Sequence, residues 1–280
     1  MKRVITLGIG VLALVGGTIT AGAADLARPI PAAPVFAPVP VANWSGFYVG
    51  VGLGGRWTET NWTTTCLQPT LAPGCPANNA FFPGRFTVDN PSQFDMSGFR
   101  VSGYAGYNWQ IGSWVLGVEG DFGWADNQQT HNGIPGTHLL GLSGGDLSSV
   151  RDRWDASIRG RAGFLFTPTA LLYVTGGVTW LDKEVNAACP TLSVLGGGWC
   201  LAAHNETASK TLVGWTLGGG FEWMFAPSWI VRGEYRYSDY TGDGLGVRFF
   251  PTVAGDTFDA VIDQKTHTAY VGLSYLFNWR

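Results

Sequence analysis

Residues 47–57 read FYVGVGLGGRW, and the way this stretch divides decides the fold. Taken in steps of two, one set is Phe47, Val49, Val51, Leu53, Gly55 and Trp57; the other is Tyr48, Gly50, Gly52, Gly54 and Arg56. Successive side chains of a strand point to opposite faces, so this is a strand with one apolar face and one face of glycine and charge. The division recurs seven times. The second apolar face is Phe99, Val101, Ala105, Tyr107 and Trp109, and the third is Trp114, Leu116, Val118, Phe122 and Trp124. Then come Trp154, Ala156, Ile158, Ala162, Phe164 and Phe166, followed by Leu172, Val174, Val178 and Trp180. The last three are Val213, Trp215, Leu217, Phe221, Trp223 and Phe225; Trp229, Val231, Tyr235 and Tyr237; and Ala269, Val271, Leu273, Tyr275 and Phe277. No charge falls on any of these faces.

The opposite faces carry Arg56, Arg100, Glu119, Asp121, Arg153, Asp155, Arg159, Arg161, Glu222, Arg232, Glu234 and Arg236, with no lysine. A solvated sheet face uses lysine freely. Arginines nearly matched by carboxylates suit a confined space, where the planar guanidinium forms bidentate pairs and stays protonated.

A soluble sandwich also alternates, with its apolar faces meeting in a core. Three features favour a membrane barrel instead. Aromatic residues stand at the strand ends, Trp57, Trp109, Trp114, Trp124, Trp154, Trp180, Trp223 and Trp229 among them, as the two girdles of an apolar band about 25 Å tall require. Connections alternate between tight turns at 110–113, 167–170 and 226–228 and long loops at 58–96, 125–150, 181–210 and 241–265. The chain ends with Tyr275, Phe277 and Trp279 alternating, an aromatic terminus of the kind that serves outer-membrane barrels as an assembly signal. The expectation is an all-β protein: an eight-stranded antiparallel transmembrane β-barrel with short periplasmic turns and four long extracellular loops. Closure leaves no backbone donor unpaired in hydrocarbon.

Composition agrees. Of 280 residues only 13% are charged, about half the usual share, while 41 are Gly and 13 are Trp. A net charge of −3 gives no cationic surface for nucleic acid, and 14% aromatic residues argue against disorder. Lys2 and Arg3, an apolar stretch from Val4 to Ile19 and the small residues Ala21 to Ala24 have the layout of a signal peptide, placed at 1–23. The run falls short of the roughly 20 residues of a spanning helix. Prolines 29, 31, 34, 38 and 40 make residues 24–43 an extended periplasmic spacer, and 44–280 the barrel. In an oxidising compartment, local spacing suggests disulfides Cys66–Cys75 and Cys189–Cys200, one of three connectivities. The absence of a C-x-x-C and of a histidine at ligand spacing argues against zinc, and no metal or other cofactor is expected.

Several strands also match known sequences. Asn43-Trp44-Ser45-Gly46-Phe47-Tyr48-Val49-Gly50, Gly103-Tyr104-Ala105-Gly106-Tyr107-Asn108-Trp109-Gln110 and Trp114-Val115-Leu116-Gly117-Val118-Glu119-Gly120-Asp121 are three of them. Arg159-Gly160-Arg161-Ala162-Gly163, Gly233-Glu234-Tyr235-Arg236-Tyr237 and Tyr270-Val271-Gly272-Leu273-Ser274-Tyr275-Leu276-Phe277 continue the match. Here the chain resembles the small eight-stranded outer-membrane immunogenic, or porin-family, proteins of Gram-negative bacteria. The resemblance implies location and architecture and brings no catalytic residues. Cysteine pairs in two loops depart from its usual pattern.

Eight strands enclose a lumen that side chains can fill. The twelve charges are expected to pair across it, with Arg159 and Arg161 on Glu119 and Asp121 as the central cluster, giving a plugged barrel with a structural and surface-display role. Inward glycines cut the other way, leaving room for water and a narrow polar path; the alternative is a porin-like channel for small polar solutes or anions. An enzyme finds little support: His131, His138, His204 and His267 and the acids Asp126, Asp243 and Asp256 form no recognisable nucleophile–base pair. The Gly50–Gly55 run resembles a nucleotide loop but lies inside a strand with no helix after it. Expected partners are outer-membrane lipid, lipopolysaccharide and the barrel-assembly machinery, with no nucleic acid; the loops name no ligand.

Overall fold

The computed structural model describes residues 42–67, 78–79, 82–83, 92–133, 135, 147–189, 204–241, 247–249 and 257–277. Residues 1–41, which hold the expected signal peptide and most of the spacer, lie outside these, as do Cys75, Cys200 and Trp279. Cys66 and Cys189 fall on strands, and neither expected disulfide can be followed from one cysteine to the other.

Eight long strands form the body: β1 Gly46–Leu67, β2 Ser92–Ile111, β3 Trp114–Asn132, β4 Leu147–Thr167, β5 Ala170–Cys189, β6 His204–Ala226, β7 Trp229–Asp239 and β8 Thr257–Phe277. Each pairs antiparallel with the next, and β1 pairs with β8 from Phe47 opposite Phe277 to Leu67 opposite Thr257, so the sheet closes into a ring. Shorter pieces pair at Asn78–Asn79 with Phe82–Pro83, and Val247–Phe249 lies against β8.

The three tight turns stand where the sequence places them, as Gly112-Ser113, Pro168-Thr169 and Pro227-Ser228 between strand ends. Gly112 takes φ +62°, which glycine adopts without penalty. Ser228 takes φ +68° after a proline; it is the one non-glycine residue with positive φ among those described.

The long loops begin later than the sequence reading placed them. Strands continue well past residue 57 in β1, past 124 in β3 and past 180 in β5, and begin before 96, 150, 210 and 265 on their partners. The cause is an inversion of the pattern. Below this height the outward face is apolar. Above it the outward face turns polar, with Glu59, Asn61, Asp95, Asp126 and Lys265, while the inward face turns apolar, with Trp62, Phe94, Met96, Val150, Leu181, Val185, Leu212 and Ile262. The same strands therefore meet two solvents. At 22 residues β1 is about 70 Å long, or about 50 Å of height at the usual tilt, twice the apolar band. The upper half is a water-facing barrel with a hydrophobic core of its own.

The lower outer surface is apolar all round, with Val51, Phe99, Ile158, Leu172, Val174, Leu217 and Val271 among the outward side chains. The girdle tryptophans Trp57, Trp109, Trp114, Trp124, Trp154, Trp180, Trp223 and Trp229 all sit on this face. Trp215, in contact with Tyr237 at 5.5 Å between centroids, joins the loop-side ring. On the turn side Trp229, Tyr275 and Phe277 pack successively at 5.2 and 4.9 Å.

Candidate functional site

In the lower half of the barrel the strands carry their charge on the inward face. Eleven of the twelve expected residues point inward and are buried: Arg56, Arg100, Glu119, Asp121, Asp155, Arg159, Arg161, Glu222, Arg232, Glu234 and Arg236. Arg153 does not. A β-bulge between Asp152 and Trp154 makes it an extra residue opposite β5, and it turns outward. There Arg153 bonds Asp182 at 2.6 Å and lies 3.5 Å from Glu184, 43% exposed, and the Asp182 bond holds its pKa above the ordinary arginine value. Counting by two fails at a bulge. The same bulge turns Asp152 inward, a residue the sequence reading did not select.

The inward charges alternate in sign up the axis. Near the turns Glu222 receives Arg161 at 2.8 Å and Arg232 at 2.6 Å. Glu119 then accepts from Arg232 at 2.7 Å, Arg159 at 2.6 Å and the Tyr48 hydroxyl at 2.7 Å. Arg159 also reaches Glu234 at 2.6 Å, where Tyr173 donates as well at 2.6 Å. Arg236 links Glu234 at 3.3 Å to Asp121 at 3.1 Å; Ser157 donates to Asp121 too. Arg100 bridges Asp121 at 2.7 Å and Asp155 at 2.6 Å, and Arg56 joins Asp155 at 3.3 Å to Asp152 at 3.4 Å. The central cluster thus differs from expectation in one partner. Arg159 lies on Glu119 with Asp121 at 3.6 Å, but Arg161 is 3.6 Å from Glu119 and closest to Glu222, across the lumen.

Lysine enters as well. Lys183, on the upper part of β5, is fully buried beside Asp152 at 3.1 Å and Thr60 at 3.0 Å, and it donates to Gln264. Burial pulls its pKa below the ordinary lysine value, with Asp152 acting against the shift. Extending the alternation of β5 beyond Trp180 would have found it, since Leu181, Lys183 and Val185 continue the inward phase.

Several inward glycines lie directly under large side chains. A Cβ on Gly272 would stand 2.6 Å from the Tyr104 hydroxyl, and one on Gly220 would stand 2.6 Å from the Tyr173 hydroxyl. Tyr104 also covers Gly50, Tyr270 covers Gly52, Tyr48 covers Gly106 and Arg100 covers Gly123. Each of these glycines is a seat for a large side chain from a nearby strand. Arg232 stacks on Tyr104 at 4.1 Å and Arg161 on Tyr173 at 4.2 Å, so the same tyrosines also take up guanidinium faces.

Apolar layers stand at both ends of the charged column. At the turn side Trp44, Val115, Leu171, Met224, Ile230 and Leu276 pack together. Trp44 is fixed there by donating to the Pro168 carbonyl at 3.0 Å. At the loop side lie Trp62, Phe94, Met96, Leu181, Leu212, Tyr240 and Ile262.

Among the described residues, the candidate catalytic groups His131, His267 and Asp126 each have a separate partner. His131 stacks on Phe94 at 4.2 Å, His267 bonds the Tyr235 hydroxyl at 2.6 Å, and Asp126 pairs with Arg151 at 2.8 Å. His138, Asp243 and Asp256 lie outside the described residues, as does the side chain of His204. Among the described residues no group of three His, Cys, Asp or Glu has the geometry of a metal site.

A closed ring with an apolar band outside, aromatic girdles and a charge-paired interior defines an integral membrane β-barrel. The chain belongs to the outer membrane protein beta-barrel domain family, which it matches over residues 11–277. It is 28% identical over 260 residues to the 31 kDa outer-membrane immunogenic protein of Brucella melitensis, covering 92% of this chain and 94% of that one. With a 22 kDa outer membrane protein of Rhizobium leguminosarum it shares 31% identity over 209 residues, 73% of this chain and 68% of the other. Among solved structures, the outer membrane protein OprG of Pseudomonas aeruginosa aligns with a TM-score of 0.43 at 11% identity, covering 84% and 99% of the two chains. The protein is an outer-membrane barrel of a Gram-negative bacterium.

Proposed function

We propose that the protein is a non-enzymatic structural and display barrel of the outer membrane, with its lumen shut to solutes by the charged column. The observation that carries this reading is the column itself: alternating Arg and carboxylate from Glu222 to Asp152, glycine seats filled by tyrosine, and apolar layers at each end. A conducting pore keeps a continuous aqueous path with like charges or carbonyls along it. Here opposite charges neutralise one another within contact distance. The upper barrel fits display, because it carries the loops about 25 Å beyond the apolar band on a packed stem. Lipopolysaccharide and lipid are the proposed surroundings of the outer face, and the barrel-assembly machinery the proposed route of insertion.

Single-channel recording of the refolded protein in a planar bilayer tests the reading. A silent bilayer containing folded protein is expected. Steady discrete openings would overturn the plug and make the protein a narrow channel, its arginines then lining an anion path.

A further inference from the structure

The pairing of Lys183 with Gln264 has a geometry that ordinary burial does not require. The two residues lie on β5 and β8, which are not neighbours in the ring, and both are completely buried. Lys183 Nζ donates to Gln264 Oε1. Asp152 holds both partners at once: its Oδ1 is 3.1 Å from Nζ, and its Oδ2 accepts from Gln264 Nε2 at 2.9 Å. One carboxylate therefore touches the amine that could attack and the nitrogen that would leave. Thr60 Oγ1, 3.0 Å from Nζ, positions the amine.

We propose that Lys183 and Gln264 form an intramolecular amide cross-link across the upper barrel, with Asp152 as the proton carrier. The Nζ lone pair of the neutral amine attacks Cδ of Gln264, and Asp152 takes a proton from Nζ. The tetrahedral centre collapses by breaking the Cδ–Nε2 bond, Asp152 returns that proton to Nε2, and ammonia leaves. One C–N bond forms and one breaks, with no oxidant, reductant or other reactant.

Three further observations support the step. Trp62, Leu181, Leu212 and Ile262 belong to the apolar cluster of this upper barrel, whose packing keeps out the water that would compete as nucleophile. Burial also favours the neutral amine, the form that is nucleophilic. Finally, six buried inward arginines match six buried inward carboxylates, so a charged Lys183 is the surplus among the described residues, whereas an amide leaves the column neutral. The bond would brace the barrel beside the point where β7 stops, at Asp239 opposite Lys265.

The test is mass spectrometry of the mature protein purified from outer membranes. The intact chain should be lighter than its sequence by one ammonia. Trypsin should fail to cut after Lys183 and should release a branched peptide joining residues 162–210 to 249–265. Asp152→Asn keeps the shape but cannot carry the proton, and should give the two peptides separately at full mass. Full mass with normal cleavage after Lys183 in the wild type would mean a plain buried ammonium and overturn the cross-link. An ammonia loss mapped to any other residue would overturn it equally. An undiminished branched peptide in Asp152→Asn would remove Asp152 from the step.

Discussion

Replacing Glu119 by alanine probes the charged column at one of its most connected points. Three groups donate to this carboxylate: Arg159 at 2.6 Å, Arg232 at 2.7 Å and Tyr48 at 2.7 Å. Its loss strands none of them completely. Arg159 keeps Glu234 at 2.6 Å and Arg232 keeps Glu222 at 2.6 Å, while the Tyr48 hydroxyl still accepts from Arg161 but has nowhere to donate. Removing one partner of a buried pair costs about 3–5 kcal/mol. Retained partners pull the value to the lower end, and the stranded hydroxyl adds about 1–3 kcal/mol, so a total of about 4 kcal/mol is expected. Unfolding in urea from detergent micelles, followed by tryptophan fluorescence and by the shift in gel mobility of the folded form, measures it. Glu119→Ala/Arg232→Met should recover part of the loss, because an apolar side chain then stands where an arginine would have lost one of its three carboxylates. An unchanged midpoint in Glu119→Ala, or strict additivity in the double variant, would refute a column of interdependent pairs.

Other outcomes follow from the same geometry. Gly272→Ala should destabilise by about 1–3 kcal/mol through overpacking against Tyr104, and Tyr104→Phe in the same chain should restore much of it by removing the hydroxyl that stands 2.6 Å from the new Cβ; equal midpoints for the single and double variants would exclude this contact as the cause. Val101→Arg puts a charge on the lipid face at a cost of about 2–4 kcal/mol near midplane, whereas Ser102→Ala on the inward face should be close to neutral; comparable folding yields of the two would reverse the facing. Ser228→Gly should stabilise the turn by about 1 kcal/mol, since serine there holds a left-handed backbone, and a lower unfolding midpoint would contradict it. Trp62→Ala should cost about 3–5 kcal/mol, read as protease cleavage of the upper barrel while the membrane-embedded half stays protected.

The lower half of the fold was legible because lipid imposes one demand on every strand. Outward positions must be apolar, so alternation in stretches such as Phe47–Trp57 and Trp114–Trp124 fixes facing, turns and closure together. Above the girdle that demand ends. Trp62 and Leu181 belong to an inward apolar face, and a rule seeking outward apolar residues reads their strands as loops. The charged residues were legible as a set for the same reason, but their pairing was not. Arg161 reaches Glu222 rather than Asp121, since partners in a narrow barrel are chosen across the lumen, and alternation along a strand carries no information about what faces it. Asp152 and Arg153 exchanged faces at a bulge, which no pattern of two can register. Tyr104 was on the correct face, yet its seat over Gly50 and Gly272 depends on strand stagger and not on its own sequence neighbours.

The pairing of β1 with β8 carries a consequence for how the molecule is made. The first and last strands of the barrel, separated by nearly the whole chain, must meet before any residue is enclosed. Pairings of such long range form late, after loop-closure entropy has been overcome. Until then the nascent sheet is an open curl, and its arginines remain hydrated. Arg56 stands on the first strand and Gln264 on the last, and both contact Asp152 from β4. The seam therefore traps the charges inside at the moment it shuts, and any charge without its partner at that instant stays dehydrated for the life of the protein.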